Sequence, residues 1–520
     1  MSTLPMQVDN LRDLLAAIDA LPVKISHVTA ASMDVMVSNH VGSLFLAYPG
    51  AKRDGRDYIQ AAVSQGAAAV LFESGDAKFE WHPDIAVPGI AVDGLKQYAS
   101  AIGAHVYQHP SKAMWMVGVT GTNGKTSVAQ WCAHAFADAG RAAAVMGTIG
   151  NGLVGKLSLK ESNNTTADAL VMQQILRQFA DSGVNACAME VSSHGLDQGR
   201  VNDVKFDVAV FTNLTRDHLD YHKSMAEYGE AKAQLFMHRD VKTSVVNVDD
   251  MFGREIASRV ERRGVESIRF ATNGGAKYAN LIATNIAVTS AGLSFQVRWQ
   301  GGVKATHIDE ALVETEILGA FNASNLLAVI GVLIASGYTL HKAAALVSQL
   351  KPVRGRMQTV RAEKNNVNKP LVVVDYAHTP DALEKVLSTI SAVVPDKGRL
   401  ICVFGCGGDR DVGKRPLMGA ISAKYADLSF VTSDNPRTED TKRIIDDIAI
   451  GVGDAPHRYL IDRRAAIIEA IAFASVDDVV VIAGKGHEDE QIIGHTKLHF
   501  SDVEVATEAL ANWSVVKVRT

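Results

Sequence analysis

Short apolar runs alternate with amphipathic stretches along most of the chain, a pattern typical of α/β folds with parallel sheets. Before residue 109 this pattern predicts strands at Leu44–Ala47, Ala68–Phe72 and Ile90–Val92 and a helix over Asp57–Gln65. The segment His109-Pro110-Ser111 then interrupts it. We therefore predict a small N-terminal α/β domain over residues 1–108.

A second α/β domain is predicted over residues 109–350. Its strand candidates are Met114–Val119, Val184–Met189, Val208–Phe211 and Ser244–Val248. Helical patterns follow the first strand as far as Asp138 and recur at 168–180 and 225–237. Residues 266–318 are β-rich, and apolar helices over Asn322–Ser336 and His341–Leu350 would close the domain.

A third domain is predicted over residues 351–520, after the polar segment Lys351–Arg356. Strand patterns recur there at Leu371–Val374, Leu400–Phe404, Leu428–Thr432 and Val479–Ala483, with helical segments between them. This alternation predicts a Rossmann-like domain, although no GxGxxG fingerprint follows its first strand. The fold prediction is thus an α/β protein of three domains, with a central parallel sheet domain between two smaller ones.

Composition narrows the classes of function. At 520 residues the chain is long enough for about three domains, and its 47% apolar and 21% charged residues are ordinary for a globular protein. A net charge of −5 argues against nucleic acid as a partner. The N-terminus lacks a signal-peptide pattern, and the most apolar stretch, Leu326–Ala335, is too short for membrane insertion.

The four cysteines form no CxxC motif and no zinc-like spacing with histidines. They are Cys132, Cys187, Cys402 and Cys406. We expect reduced thiols in a reducing compartment, and therefore a cytoplasmic protein.

The strongest motif is a glycine-rich loop between a predicted strand and a predicted helix. It reads GVTGTNGKTS over residues 118–127. In such a P-loop, backbone N–H groups and the helix N-terminus surround phosphate oxygens, and the lysine reaches the terminal phosphates. The match to GxxxxGK[ST] is imperfect, because Val119 stands at the first glycine position. The predicted ATP-binding residues are Gly121, Thr122, Asn123, Gly124, Lys125, Thr126 and Ser127. The alternative is a glycine-rich turn with a solvated lysine.

Several motifs, in one order along the chain, resemble those of the Mur ligases. They are GTNGKT at Gly121–Thr126, MEVSSH at Met189–His194, NLTRDHLD at Asn213–Asp220, GAFNASN at Gly319–Asn325, Gly355-Arg356, and DYAHTP at Asp375–Pro380. The resemblance implies three domains with a central P-loop domain. It also implies an ATP-dependent ligase that activates a carboxylate as an acyl phosphate and joins it to an amine. Such an activity belongs to peptidoglycan precursor synthesis, and through it to cell-wall biogenesis, cell shape and cell division.

The resemblance implies catalytic roles for Lys125, Glu190, His218 and Lys232. Glu190 follows a predicted strand and, with Thr126, would hold Mg²⁺. His218 would lie at a second Mg²⁺, which Lys232 would bind after reacting with CO₂ to form a carbamate. Glu190, His218 and Lys232 also have plain alternatives, namely a capping or surface glutamate, a structural histidine and a solvated helix lysine.

Further substrate contacts carry over from the same resemblance. Those to ATP are Asn322, Asn325, Arg356 and Asp375, and Asn322 also suits a helix cap. Those to a UDP-linked muramoyl dipeptide are Ser32, Asn164, Thr165, Thr166, Ser192, Gln198 and Arg200. The family's usual Asp-Ser-Arg appears here as Ala31-Ser32-Met33, which leaves the uridine contacts open.

Loops after the predicted strands of the third domain suit a zwitterionic amino acid. The candidate residues are Arg410, Asp434, Asn435, Pro436, Arg437, Gly484 and Glu488. Arginine forks bind carboxylates and acidic groups bind ammonium. The string Asp434–Arg437 resembles that of family members that add meso-diaminopimelate, whereas lysine-adding members differ there. Arg437 would be the discriminating residue, because lysine has no distal carboxylate to pair with it.

Three alternatives stay open at this point: a lysine-adding ligase, a folylpolyglutamate synthetase, and a P-loop protein that holds ATP without turnover. The sequence leaves the oligomeric state undetermined, and we expect a monomer.

Overall fold

The computed structural model describes residues 6–31, 40–50, 53–75, 79–82, 84–155, 164–289, 291–301, 308–360 and 369–514. The chain forms two compact units. One comprises Met1–Ile282, Arg298–Asp309 and Asn325–Leu346, and the other comprises Ala283–Val297, Glu310–Ser324 and Val347–Thr520. Among the described residues, no helix combines the length and apolar character needed to cross a bilayer.

The first sheet uses the N-terminal part of the chain. Its strands are β1 (Met6–Val8), β2 (His27–Ala30), β3 (Ser43–Ala47), β4 (Ala69–Glu73) and β5 (Gly89–Val92), and its helices are α1 (Leu11–Asp19), α2 (Ile59–Ser64) and α3 (Ala99–Val106). The strands are parallel, in the order β1-β5-β4-β3-β2. Leu44 and Leu46 pack on one face, and Phe45 packs on the other. Burial of both faces explains why β3 is a continuous apolar run.

One N-terminal prediction was wrong in detail. The helix predicted over Asp57–Gln65 is a 3-10 turn at Gly55–Tyr58 followed by the shorter α2. Asp54 accounts for this early start, because its carboxylate accepts the backbone N–H of Arg56 at 3.0 Å.

The second sheet follows along the chain. Its strands are β6 (Trp115–Thr120), β7 (Ala143–Gly147), β8 (Gly150–Leu153), β9 (Ala186–Glu190), β10 (Val208–Phe211), β11 (Thr243–Asn247), β12 (Glu266–Ala271), β13 (Leu281–Thr289), β14 (Gly292–Gln300) and β15 (Ile308–Thr315). The helices are α4 (Lys125–Asp138), α5 (Ala169–Asp181), α6 (Ser193–Asp197), α7 (Leu219–His222), α8 (Met225–Ala233), α9 (Met251–Arg262), α10 (Phe321–Ala335) and α11 (Leu340–Ser348). The strand order is β15-β14-β13-β12-β11-β10-β6-β9-β7-β8.

Strand β6 lies between β10 and β9 and is parallel to both. Val119 pairs with Glu190, and Thr120 pairs with Phe211. The carboxyl ends of the three strands therefore meet at one edge, where ligands bind in open parallel sheets.

The third sheet lies in the C-terminal part. Its strands are β16 (Gln358–Val360), β17 (Leu371–Asp375), β18 (Leu400–Phe404), β19 (Leu428–Val431), β20 (His457–Tyr459) and β21 (Val479–Ala483), and β22 (Glu490–Ile493) and β23 (Thr496–His499) form a hairpin. The helices are α12 (Pro380–Ser391), α13 (Lys414–Tyr425), α14 (Thr441–Val452), α15 (Arg463–Phe473) and α16 (Asp502–Asn512). The strand order is β16-β17-β21-β18-β19-β20. In the described ladder, β16 pairs with β17 in the antiparallel direction, and the other neighbouring strands are parallel.

Three successive sheets agree with the predicted α/β fold of three domains, while the exact domain boundaries stay predictions. All four cysteines are buried free thiols, as the spacing predicted. Burial raises the pKa of the Cys187 thiol to about 12, so this group stays protonated and behaves as a core residue.

Candidate active site

The P-loop connects β6 to α4. Gly121 and Gly124 have φ angles of +146° and +87°, which disfavour residues with a side chain. A Cβ at Gly121 would overlap Oγ1 of Thr212, and one at Gly124 would overlap Oδ1 of Asn325. Both glycines are therefore required by backbone conformation and by close neighbours.

Thr126 and Ser127 lie in the first turn of α4, at the positive end of its dipole.

Residues that follow β10 hold the P-loop in place through hydrogen bonds. The backbone N–H of Thr122 donates to the carbonyl of Asn213 at 2.8 Å, and that of Asn123 donates to the Asn213 side chain at 2.9 Å. The Thr212 hydroxyl donates to the carbonyl of Asn123 at 2.6 Å. Asn213 belongs to a recognised sequence motif, but its hydrogen bonds to the P-loop were not predicted. These hydrogen bonds depend on the pairing of strands that are distant in the sequence.

Two lysines converge on the P-loop backbone. Nζ of Lys125 donates to the carbonyls of Gly121 and Thr122 at 2.9 and 2.8 Å. Nζ of Lys232, from α8, donates to the same Gly121 carbonyl at 2.8 Å. The structure thus brings together the two lysines that the sequence analysis selected, at the position expected for phosphate groups.

Lys232 is buried, with 1% of its surface exposed, and its ammonium lies 4.2 Å from the centre of the Tyr228 ring. Burial lowers its pKa well below the usual value, the charge of Lys125 adds to this effect, and Asp217 opposes it. A lowered pKa favours the neutral amine, the form that reacts with CO₂. The alternative of a solvated helix lysine is wrong.

Glu190 is the last residue of β9 rather than the first residue after it, and only 2% of its surface is exposed. Its Oε2 accepts the Thr126 hydroxyl at 2.8 Å, and its Oε1 accepts the backbone N–H of Thr148 at 2.7 Å. Thr148 was not predicted, because the strand before it was not recognised. Glu190 is therefore not a surface residue, and its hydrogen bond from the Thr148 backbone is compatible with a capping role.

The oxygens of Thr126 and Glu190 suit a hard cation such as Mg²⁺, which usually takes few protein ligands and completes its shell with water and phosphate oxygens. Within the described parts of the chain, no group of three or more His, Cys, Asp or Glu side chains is arranged to hold a metal by itself. The adjacent Thr126 hydroxyl and Glu190 carboxylate offer two oxygen ligands of the kind that Mg²⁺ combines with phosphate oxygens.

His218 has a left-handed backbone conformation at φ +52° and lies close to other aromatic rings. Its ring centre is 4.9 Å from that of His194 and 5.9 Å from that of Tyr228, the residue that contacts Lys232. Nε2 of His218 is 3.6 Å from an Asp217 carboxylate oxygen. His218 is thus connected to the Lys232 region through Tyr228, which the sequence analysis did not assign.

Part of the predicted muramoyl-peptide set forms one hydrogen-bonded group. Arg200 donates to the Thr166 carbonyl at 2.6 Å and, through Nε, to the Gln198 side chain at 3.0 Å. The backbone N–H of Ser192 donates to the Thr166 hydroxyl at 2.9 Å. The Thr165 hydroxyl lies 3.1 Å from that of Thr148. Asn164 is exposed, and Ser32 lies outside the described residues.

The remaining predicted ATP contacts fall into separate groups. Asn325 lies beside Gly124 of the P-loop. Asn322, in the first turn of α10, donates its amide to the carbonyl of Leu318 at 2.7 Å, which supports the helix start. The Arg356 guanidinium lies 4.5 Å from the centre of the Tyr376 ring.

Asp375 is buried at the end of β17. Its carboxylate accepts backbone N–H groups from Met357 at 2.7 Å and Ala377 at 2.8 Å. Burial raises the pKa of this carboxyl, while Arg356 and the two hydrogen bonds oppose the rise.

The loops after β19 and β21 meet in the second unit. A Cβ at Gly484 would lie 2.5 Å from a carboxylate oxygen of Asp434. The Asn435 amide donates to Glu488 at 3.0 Å. Arg437, with φ at +50°, donates to the carbonyl of Gly408 at 2.8 Å. The structure therefore gathers these predicted residues, with Pro436, at one edge of the sheet.

Arg410 is exposed and lies in the loop after β18. Its Nη1 donates to the carbonyl of the neighbouring Asp409 at 3.3 Å. The loop geometry alone does not assign Arg410 to a ligand.

Family models match most of the chain. Residues 25–107 match the Mur ligase family catalytic domain, residues 119–333 the Mur ligase middle domain, and residues 355–486 the Mur ligase glutamate ligase domain. The chain belongs to the Mur ligase family. The matched segments follow the same order as the three sheets of this Mur ligase.

Relatives of this Mur ligase cover nearly its whole length. It is 47% identical to the UDP-N-acetylmuramoyl-L-alanyl-D-glutamate–2,6-diaminopimelate ligase of Chromobacterium violaceum, over 96% of this chain and 97% of that protein. The ligase of the same name from Neisseria meningitidis serogroup B is 45% identical, over 90% and 92% of the two chains. A solved structure of a ligase with this name superposes with a TM-score of 0.67 at 33% identity, covering 94% and 95% of the two chains.

Proposed function

We propose that this Mur ligase adds meso-2,6-diaminopimelate to UDP-N-acetylmuramoyl-L-alanyl-D-glutamate, with ATP as co-substrate and an acyl phosphate as intermediate. The observation that carries the proposal is the convergence of Lys125, Lys232 and the Thr126–Glu190 pair around the P-loop. The relatives that are named as UDP-N-acetylmuramoyl-L-alanyl-D-glutamate–2,6-diaminopimelate ligases match nearly the whole chain, and they support this choice of substrates.

In the first step, an oxygen of the substrate carboxylate attacks the terminal phosphorus of ATP. The bond to the bridging oxygen breaks, and ADP leaves with that oxygen. Lys125 and the backbone N–H groups of the P-loop stabilise the negative charge on the transferred group. Because little covalent chemistry is required of the protein, most of the rate enhancement comes from positioning and electrostatics.

The proposal includes Mg²⁺, with Thr126 and Glu190 as ligands at one site, and His218 and a carbamate on Lys232 at a second. Bound Mg²⁺ would neutralise phosphate charge and orient the transferred group. The carbamate would form when the neutral Lys232 amine adds to CO₂ and releases a proton, which replaces a cation with an anion. The buried environment of Lys232 supports this step.

In the second step, an amine of diaminopimelate attacks the carbonyl carbon of the acyl phosphate. Phosphate leaves, the nitrogen loses a proton, and an amide remains. Asp434 and Glu488 would pair with ammonium, and Arg410 and Arg437 would pair with carboxylate. Thr165, Thr166, Ser192, Gln198 and Arg200, with Asn164 and Ser32, are proposed contacts to the muramoyl peptide. The proposed ATP contacts include Asn322, Asn325, Arg356 and Asp375.

The test of this function is phosphate release with ATP, Mg²⁺ and UDP-N-acetylmuramoyl-L-alanyl-D-glutamate, with meso-diaminopimelate or lysine in parallel. We expect release with diaminopimelate only. Release with lysine only would keep the chemistry and overturn the specificity, and release with neither would overturn the proposed function. A monomeric state and a cytoplasmic location stay predictions.

Replacement of Arg437 with alanine should weaken the use of diaminopimelate, because it removes a charge-assisted hydrogen bond worth about 1.5–3 kcal/mol. The measurement is KM for diaminopimelate and for ATP. We expect KM for diaminopimelate to rise by about 10- to 100-fold, with little change for ATP. Arg443→Ala, which changes an exposed arginine in α14, is the control. Equal losses for both substrates would contradict the assignment.

A further inference from the structure

Lys485 is a buried lysine to which neither the motifs nor the proposed mechanism assigns a role. It follows Gly484 in the loop after β21, and none of its surface is exposed. Its Nζ donates to Oδ1 of Asn435 at 3.0 Å and to Oε2 of Glu488 at 3.1 Å. A charge at this depth is costly unless it is paired, so these two partners determine where the ammonium lies.

The three side chains form a closed triangle. The Asn435 amide nitrogen donates to the same Oε2 of Glu488 at 3.0 Å. Oδ1 of Asn435 also accepts the backbone N–H of Ile492, in β22, at 3.0 Å. The triangle therefore connects the loop after β19, the loop after β21 and the hairpin in a single arrangement.

The triangle uses only one of the two carboxylate oxygens of Glu488. Oε2 accepts hydrogen bonds from both Lys485 and Asn435. Among the residues that the structure describes, no protein group donates to Oε1 of Glu488, whose side chain keeps 29% of its surface exposed. One oxygen is thus anchored and the other is available for a donor from a ligand. An ammonium group has the charge and the hydrogen atoms to occupy it.

We propose that Lys485 is a positioning residue for the amino-acid substrate. It anchors Glu488 so that the second carboxylate oxygen receives the substrate ammonium in a defined direction. It also offsets the negative charge of Glu488. The proposal rests on the proposed function, because it requires an amino-acid substrate at these loops.

A merely structural lysine would have a different signature. If Lys485 only stabilised the loops, its loss would lower thermal stability and would affect all three substrates alike. If it positions Glu488, its loss raises KM for the amino acid selectively, because ATP and the UDP-linked substrate make no predicted contact with this triangle. The comparison of KM values therefore separates the two roles.

The test uses the full chain with Lys485→Met, which keeps most of the side-chain length and removes the charge. We expect KM for diaminopimelate to rise by about 10- to 100-fold, since the effect passes through a charge-assisted hydrogen bond. KM for ATP and KM for the UDP-linked substrate should stay within about threefold of their original values. This change is smaller than the tenfold rise that is the minimum expected for diaminopimelate. Lys485→Gln retains a hydrogen-bond donor, so its rise in KM for diaminopimelate should be smaller. If Lys485→Met does not fold, the same comparison of KM values is made with Lys485→Gln.

Lys442→Met, which changes an exposed lysine of α14, is the matched control and should leave all three KM values unchanged. An unchanged KM for diaminopimelate in the Lys485 variants, or an equal rise for all three substrates, would overturn the positioning role. Failure of the unmodified protein to release phosphate with diaminopimelate would instead overturn the proposed function, and this inference with it.

Discussion

Replacement of Lys125 with alanine is expected to lower ATP turnover by about 10²–10³-fold, the range seen when one preorganised charge-stabilising donor is removed. The ammonium of Lys125 lies at the P-loop, within hydrogen-bonding distance of two loop carbonyls. In the proposed mechanism, the side chain contacts the terminal phosphates from this position. Alanine removes the charge that offsets the developing negative charge of the transferred phosphoryl group.

The measurement is ADP release under saturating substrates, compared with Lys112→Ala, which changes an exposed lysine in the 3-10 turn at Pro110–Ala113. The control should retain full turnover. Thermal unfolding of both variants should resemble that of the original protein, because Lys125 is only partly buried and its truncation opens no cavity in the core. A Lys125→Ala variant with normal ADP release would refute the assignment of the P-loop as the ATP site.

Buried parallel strands were the easiest elements to predict. Val208–Phe211, Leu400–Phe404 and Val479–Ala483 were predicted with the bounds that the structure has. Their residues are buried on both faces, so the strands are continuous apolar runs that need no alternation to be recognised. The helix after the P-loop was likewise predicted to end at Asp138, as observed.

Short or exposed strands were missed. β20 has three residues, and β23 is exposed along its whole length, so neither contains an apolar run. The hairpin of β22 and β23 is held by contacts that are distant in sequence, including the hydrogen bond from Ile492 to Asn435. Local propensity contains little information about such pairing.

Residues of the candidate site could be predicted where they belong to a sequence motif. They could not be predicted where only the fold brings distant residues together. Lys125 and Thr126 come directly from the P-loop pattern. Tyr228, one turn earlier in α8, covers part of Lys232, but the Gly121 carbonyl that its ammonium contacts lies 111 residues away in the sequence. The burial of Lys232 could therefore not be inferred from its helix alone. Thr148 contacts Glu190, which is 42 residues away, and Lys485 contacts Asn435, which is 50 residues away. The sequence around Thr148 and Lys485 does not indicate these distant partners.

Replacement of Lys232 with alanine is expected to lower ligase activity by about 100-fold or more, since it removes the buried amine that, as a carbamate, would bind the second Mg²⁺ of the proposed mechanism. The lysine is buried beside Tyr228 and donates to the P-loop at Gly121. If its carbamate supplies an anion at this position, a short carboxylic acid such as acetate or formate can enter the space that alanine leaves and restore part of the activity.

The rescue distinguishes a carbamate from an ordinary lysine. Acetate should raise the activity of Lys232→Ala in a concentration-dependent way and should not raise that of Lys125→Ala, whose missing group is a cation. Short amines serve as the opposite control, because they would replace an ammonium at position 232 but not a carboxylate. Rescue by amines and not by acids would show that Lys232 acts as a cation. Because burial lowers the pKa of this lysine, a larger share of it is in the neutral form that reacts with CO₂, and we expect rescue by the acids.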